Sequence, residues 1–367
     1  MYLCKAGTFK AHIMIQKDIL LSEAPHTVVR YHGIPVHAID FWKRISWGAE
    51  GAVYQNLLVE EHIPHIVDPS LLAIETEGQL QATAVFSHVK VQSGPQLYSC
   101  HYIRYFATDS AVRGQGLTKR YGHQIMSLVK EQFPGQAMYF ALVERGNKAS
   151  FKSVQRAGYE HTATIKTIGF SRFFPRRSSR IHLCQSSEER RLVLQKLHTF
   201  YWEHALVQFN PVFLHNQYYV LKDHSGKIIA GCQYQRCHWR VNKMPGFTGK
   251  LLIKTLPYLP MLRRIFNPKS FKFLAFEAIF VEPGAEAALA ELFEGILQLE
   301  KLNTAMYWLD SRDPQFQAWT QRFPLGLIHP FIKSNDVYMM QSFQNFSEAE
   351  AQAFKNRPFY ASAFDYA

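Results

Sequence analysis

Cysteine is scarce in this chain. Five are spread over 367 residues, at Cys4, Cys100, Cys184, Cys232 and Cys237. The number is odd and no two have C-x-x-C spacing, which argues against a disulfide framework or a zinc site and for buried or free thiols. No apolar run approaches the ~20 residues of a membrane-spanning helix. The first residues lack the basic start, apolar centre and small-residue cleavage site of a secretory leader. A cytoplasmic protein without a metal is therefore expected. Carboxylates are missing from one long stretch. Between Asp223 and Glu277 there are none, against ten bases: Lys227, Arg236, Arg240, Lys243, Lys250, Lys254, Arg263, Arg264, Lys269 and Lys272. What is abundant is core material, 47% hydrophobic and 14% aromatic residues, enough for two packed interiors in a chain of this length.

Periodicity gives an order of elements. Thr27–Tyr31 reads as a strand, and Val36–His62 as helical with interruptions near Gly48 and Gly51. A hairpin follows, Leu71–Glu75 and Leu80–Val91 about Gly78, and then a strand Tyr98–Thr108. Apolar spacing predicts a helix over Gln115–Gln132, a strand Met138–Val143, a helix Lys148–Ala157 stopped by Gly158, and a strand His161–Phe170. Pro, Arg and Ser between Phe173 and Ser179 mark a linker. The second half repeats this order. It has a short strand Ile181–Leu183, a helix Glu188–His204 and a hairpin about Gly226. Then come a strand Phe271–Val281, a helix Ala287–Glu300, a strand Ala305–Leu309 and a helix Pro314–Gln321. One order recurring twice argues for internal duplication. Two domains are expected at 26–172 and 181–367, joined by the linker 173–180. Residues 1–25 are unassigned, and an insertion at 242–270 separates the second hairpin from its next strand.

Two stretches carry chemistry. In the first, the strand ending at Thr108 runs through Arg113-Gly114-Gln115-Gly116 into the helix that begins Leu117-Thr118. Glycines let such a turn fold tightly with its amides converging, and the positive end of the helix dipole adds to a seat for a pyrophosphate. Arg113 and Lys119 would add charge. In the second, Asn147 follows a strand and opens the helix Lys148–Ala157, which closes on Gly158-Tyr159.

Together these resemble the GNAT superfamily of N-acetyltransferases, whose strand ends in R-G-x-G before a helix and whose next helix follows N-x-x-A/S-x-x-x-hydrophobic-x-x-x-G-F/Y. The resemblance covers about residues 26–170. It implies an α/β (α+β) fold of GNAT-like acyl-CoA N-acyltransferase domains, each a mixed, mostly antiparallel sheet flanked by helices. It also implies an activity, transfer of an acyl group, expected to be acetyl, from acetyl-CoA to a primary amine. Pantetheine would then lie along Phe106, Ala107 and Thr108. The pyrophosphate would sit on Arg113, Gly114, Gln115, Gly116, Leu117 and Thr118, with Asn147 on the pantetheine and Phe151 and Lys152 near the adenosine. The family's frequent tyrosine acid is replaced by Val154. Its carboxylate base has no counterpart on the strand Tyr98–Thr108, which leaves His101 as the candidate base and Tyr121 as a weaker one. Those two departures keep an alternative open, a non-catalytic acyl-CoA-binding or sensor protein.

In the second half the corresponding loop is Val281-Glu282-Pro283-Gly284-Ala285-Glu286-Ala287, whose two acids would repel phosphate. That half is expected to be degenerate and to shape the acceptor cleft. The basic run has two readings. It faces the glutamates that follow it, or it serves a negatively charged acceptor or partner. Residues 247–266, basic and apolar at once, suit a helical hairpin packed on the fold, a segment making peripheral membrane contact, or a lid over a greasy substrate. No nucleic-acid reading motif is present, and nucleic acid is not expected as a partner.

Overall fold

The computed structural model describes residues 15–48, 51–214, 216–321, 324–332 and 335–362. Cys4 lies outside them, and the other four cysteines are buried free thiols. Among the described residues the strands are β1 (Lys17–Glu23), β2 (His26–Tyr31), β3 (Val53–Asn56), β4 (Pro69–Thr76), β5 (Gln79–Ser93), β6 (Gln96–Thr108), β7 (Ala137–Glu144) and β8 (Glu160–Ser171). They continue with β9 (Ile181–Leu183), β10 (Tyr219–Lys222), β11 (Ile228–Lys243), β12 (Phe271–Val281), β13 (Thr304–Asp310) and β14 (Asp336–Gln344). The helices are α1 (Val36–Arg44), α2 (Val59–His62), α3 (Leu117–Gln132), α4 (Lys148–Arg156), α5 (Ser187–Phe200), α6 (Gly246–Thr255), α7 (Pro260–Ile265), α8 (Ala288–Leu299), α9 (Pro314–Gln321), α10 (His329–Ile332) and α11 (Glu348–Asn356).

The strands join one mixed sheet in the order β1-β2-β4-β5-β6-β7-β14-β8-β13-β12-β11-β10-β9, with β3 paired to β11. All neighbours are antiparallel except β6 with β7 and β12 with β13. This is the expected fold class, a mostly antiparallel sheet flanked by helices. Turn chemistry explains the hairpins. Glu77 and Gly78 both take positive φ (51° and 76°), the two-residue turn whose twist matches the flanking strands β4 and β5.

Side-chain alternation sorts the core. On β7, Tyr139, Ala141 and Val143 face α3 and α4, meeting Met126, Val129 and Val154. Met138 and Phe140 face the other way, against Met339, Phe354 and Phe359. In the second half α8 buries Leu289, Leu292, Phe293, Ile296 and Leu297 on β12 and β13.

Besides β1, α10 and α11, which the expected order lacks, three features differ from it. The helix beginning at Val36 ends at Arg44, and β3 leaves the first half to pair with β11, Tyr54 opposite Val241. The long second-half helix stops at Phe200 instead of His204. β14, unforeseen, crosses back to lie between β7 and β8.

Candidate active site: two gaps in one sheet

Each parallel pair is short, so each opens a gap. β6 and β7 are paired from Ser99 with Ala137 to Ile103 with Ala141, and diverge beyond. Past Ile103, β6 keeps its ladder with β5, and among the described residues no strand pairs with its other edge. A bulge re-aims this segment: Tyr105 takes φ 48° and the register with β5 shifts between Thr83 and Val85. Thr83 Oγ1 donates to the Tyr105 carbonyl at 3.0 Å and in turn accepts from Trp42 Nε1 at 3.0 Å.

At the mouth of this gap is the glycine loop. The Asp109 carboxylate accepts from Ala111 N at 2.9 Å and starts a 3-10 turn. Gly114 and Gly116 take φ of 89° and 80°, and a Cβ built on either meets no atom within 4 Å. The glycines therefore serve backbone conformation and an open concave side, not close packing. Leu117, Thr118 and Lys119, the first turn of α3, carry amides with no acceptor inside the helix. Arg113 and Lys119 are exposed beside them. Leu117's side chain is buried and anchors the turn, while Gln115 is exposed and Thr118 half-buried. Phe106 is exposed, Ala107 buried and Thr108 half-buried at the strand end.

Asn147 caps α4, its Oδ1 accepting from Ser150 N at 3.1 Å. Phe151 packs edge-on against Tyr338 at 5.6 Å, and Lys152 is exposed. Val154 lies in the core between α4 and the sheet, so the position that is tyrosine in the resembling family is closed to chemistry here.

The two sequence candidates for a base are both on the helix side of the sheet. His101 is 1% exposed, stacked between His88 and Tyr139 at 4.8 Å each with Phe133 at 4.2 Å. It belongs to the paired part of β6, two residues before the gap opens, on the face opposite Tyr102 and Arg104. Burial, with His88 adding to it, lowers its pKa to about 4, so a titration near neutrality is not expected of it. Tyr121 is fully buried among Val28, Ile74, Ala82 and Leu117.

A different group meets the requirement. Glu144 ends β7, on the same face as Phe140 and Leu142 and just beyond the point where β6 parts from it. Its Oε2 lies 3.5 Å from where a Cβ on Gly48 would stand, and Tyr54 is close enough to feel its charge. Tyr54 is fixed by stacking on Trp239 of β11 at 3.9 Å. Burial raises the Glu144 carboxyl to about 7, and among the described residues no cation or hydrogen-bond donor offsets this. The sequence signal was a lone carboxylate ending an apolar strand, A-M-Y-F-A-L-V-E. Nothing in the local pattern distinguishes it from a solvated strand end, because its neighbours come from β3 and β11, far along the chain. On this face a pocket of about 50 Å3 lies over the gap, lined by Tyr102, Arg104, Phe140, Leu142 and Met339 among others.

The second gap repeats the geometry and closes it. β12 and β13 pair only at Leu274 with Ala305 and Ala275 with Met306. Ala278 takes φ 48°, with a register shift opposite between Gly231 and Gln233. Here the Tyr218 hydroxyl donates to the Ala278 carbonyl at 2.8 Å and the Tyr201 hydroxyl to the Ile279 carbonyl at 2.6 Å. The next loop is filled by its own acids. Gly284 N donates to Glu286 Oε1 at 3.3 Å, and Glu282 pairs with Lys196 and, at 3.8 Å, with Lys227.

Solved structures share this architecture. Saccharomyces cerevisiae N-myristoyltransferase with bound myristoyl-CoA superposes with a TM-score of 0.57 over 94% of this chain and 90% of that one, at 9% identity. A second structure of that enzyme, with myristoyl-CoA and inhibitors, gives 0.58 over 94% and 87%. The fold is therefore one that N-myristoyltransferase also has. A GCN5-related N-acetyltransferase from Anabaena variabilis gives 0.48 at 10% identity over 87% and 73%, too low to carry weight. No family model matches the chain. Among curated proteins, "Leucine-rich repeat, immunoglobulin-like domain and transmembrane domain-containing protein 1" of Rattus norvegicus is 38% identical over 72 residues, 20% of this chain and 11% of that protein. Its Mus musculus counterpart is 34% identical over 87 residues, 22% of this chain and 13% of the other. The chain spans little more than a tenth of the length of either, and neither shows a family.

Proposed function

We propose that the chain is an acyl-CoA-dependent N-acyltransferase with one working site, at the gap between β6 and β7. The observation that carries this is the conjunction, at one end of the sheet, of a gap where β6 and β7 diverge and a glycine loop whose concave side is open at Gly114 and Gly116. CoA would enter as co-substrate. Its pyrophosphate would take the amides of Gly116, Leu117, Thr118 and Lys119 with Arg113 beside them, and its pantetheine arm would follow Phe106, Ala107 and Thr108. The fold's occurrence in an enzyme crystallised with myristoyl-CoA supports a CoA thioester as donor. The acyl group proposed is acetyl, as the R-G-Q-G loop and its resemblance imply. The chain would divide into two units, 26–172 and 181–367, the second shaping the acceptor side.

The chemistry asks for a free amine. Glu144 would take one proton from the incoming ammonium, the amine nitrogen would then bond to the thioester carbon, and the adduct would lose its second N–H proton to water. The C–S bond breaks and the electron pair leaves on sulfur. A simple thiol has a pKa of about 8.5, so the thiolate leaves without a dedicated acid and is protonated by water. This accommodates Val154. Holding the amine against an already activated thioester supplies much of the acceleration. The test is free-thiol release from acetyl-CoA with pooled primary amines. Amine-dependent release supports the reading, whereas tight CoA binding with no release under any amine favours the sensor alternative and rejects an enzyme.

A further inference from the structure

The basic run gained an unexpected environment in the structure. Of its ten bases only Lys227 and Arg236 reach a carboxylate among the described residues, Glu282 and Glu300. The glutamates that follow are taken mainly by the linker: Glu291 by Arg180, and Glu294 by Arg172 and Arg176. Internal neutralisation therefore does not account for Lys250, Lys254, Arg263, Arg264 and Lys269, all exposed.

These bases share their surface with large apolar side chains. Phe247 is 82% exposed and Tyr258 76%, with Leu251, Leu259 and Met261 exposed between them. On α6, Phe247, Lys250, Leu251 and Lys254 recur at helical spacing and form one outward stripe, while Leu256 and Ile265 anchor the α6–α7 hairpin beneath. An outward helix face is ordinarily polar. The linker adds to the patch: Phe174, 66% exposed, lies under the Arg264 guanidinium at 5.3 Å, with Arg176 and Arg177 exposed beyond it.

We propose that the α6–α7 hairpin and the neighbouring linker dock on the surface of an anionic lipid bilayer. The bases would face lipid phosphates and acidic headgroups, and the apolar stripe would enter the headgroup boundary. The aliphatic members decide against nucleic acid, because a phosphate backbone offers nothing to Leu251, Leu259 or Met261. No helix among the described residues is long and apolar enough to cross a membrane, so the contact is peripheral. This proposal stands apart from the acyltransferase reading.

The full chain would be floated with vesicles of about three parts phosphatidylcholine to one part phosphatidylglycerol, and with phosphatidylcholine alone. Binding is expected to the anionic vesicles only, and to weaken steeply with salt. Lys250→Gln with Lys254→Gln should weaken it about 25-fold, about fivefold for each base lost. Phe247→Ser with Tyr258→Ser should weaken it at least about tenfold. All four positions are exposed, so unchanged thermal unfolding of the variants checks that folding is intact. Equal binding to neutral vesicles, no binding to anionic ones, or insensitivity to both double variants would overturn the proposal. So would failure on vesicles accompanied by self-association, or by tight binding to random duplex DNA, since each would assign the face to another occupant.

Discussion

Tyr105 and Ala278 hold the same φ, 48°, at the same place in two strands, three residues before β6 ends at Thr108 and β12 at Val281. Behind each bulge a parallel neighbour diverges and a loop with a left-handed glycine leads into a helix. The difference lies in what occupies the space. In the second half two tyrosine hydroxyls cap the bulge carbonyls, and Glu286 occupies the amide of Gly284. In the first half Thr83 caps Tyr105 alone, no side chain among the described residues donates to the Phe106 carbonyl, and the glycine loop faces open space. A gap in a sheet leaves backbone groups that require partners. One half supplies them from its own side chains; in the other, we propose, a ligand does so.

The largest effect should come from a carboxyl whose pairing differs from that of its counterpart. Asp310, which ends β13 as Glu144 ends β7, is held by Arg312 at 2.6 Å, whereas Glu144 has no such partner among the described residues. Glu144→Gln should lower kcat/KM for the amine by about 10^2–10^4 while leaving acyl-CoA affinity unchanged. The wild-type profile should rise with pH through about 7 as the carboxylate forms, and the variant should lose that limb. A full-rate variant would remove Glu144 from the mechanism. The same substitution has a stability signature independent of turnover. A carboxyl whose folded pKa is raised favours folding below about 4.5, and that stability is lost as pH rises through about 7. Glu144→Gln should therefore match the wild type at low pH and exceed it by roughly 2–3 kcal/mol at pH 8. Denaturant unfolding at both pH values checks this.

The second gap should respond in stability alone. Tyr201→Phe removes the donor to a buried carbonyl and is expected to cost about 1–3 kcal/mol, with no change in CoA binding. A loss of CoA affinity there would mean that the halves are not separate in function. The smallest effect on turnover is expected at His101. Because its folded pKa is lowered, the unfolded chain binds more protons between about 4 and 6.5, and stability falls as pH drops through that window. His101→Gln should flatten this acid dependence and leave activity near neutrality largely in place.

Much of this was legible in the chain itself. The paired motifs Arg113–Gly116 and Asn147–Tyr159 marked the glycine loop and the helix after it, and the acids at Glu282 and Glu286 marked the closed counterpart. Elements set by local periodicity, such as β5, β6 and α3, came out nearly as expected. What local pattern could not carry was pairing at long range. β3 is four residues that matter only because β11 lies beside them, and β14 owes its place between β7 and β8 to topology. The basis for choosing His101, an ordinary pKa near neutrality, disappeared once stacking and burial were visible. Glu144 takes its significance from its place just beyond the end of the β6–β7 pairing and from the desolvation it meets there.

The central claim is that one gap holds acyl-CoA and its twin does not, and calorimetric titration of the full chain with acetyl-CoA tests it most directly. One site per chain is predicted, abolished by Gly116→Val, where a branched side chain meets a φ of 80° and fills the open side of the loop, and unaffected by Glu286→Ala. Two equal sites per chain, or undiminished binding by the Gly116→Val variant, would contradict it.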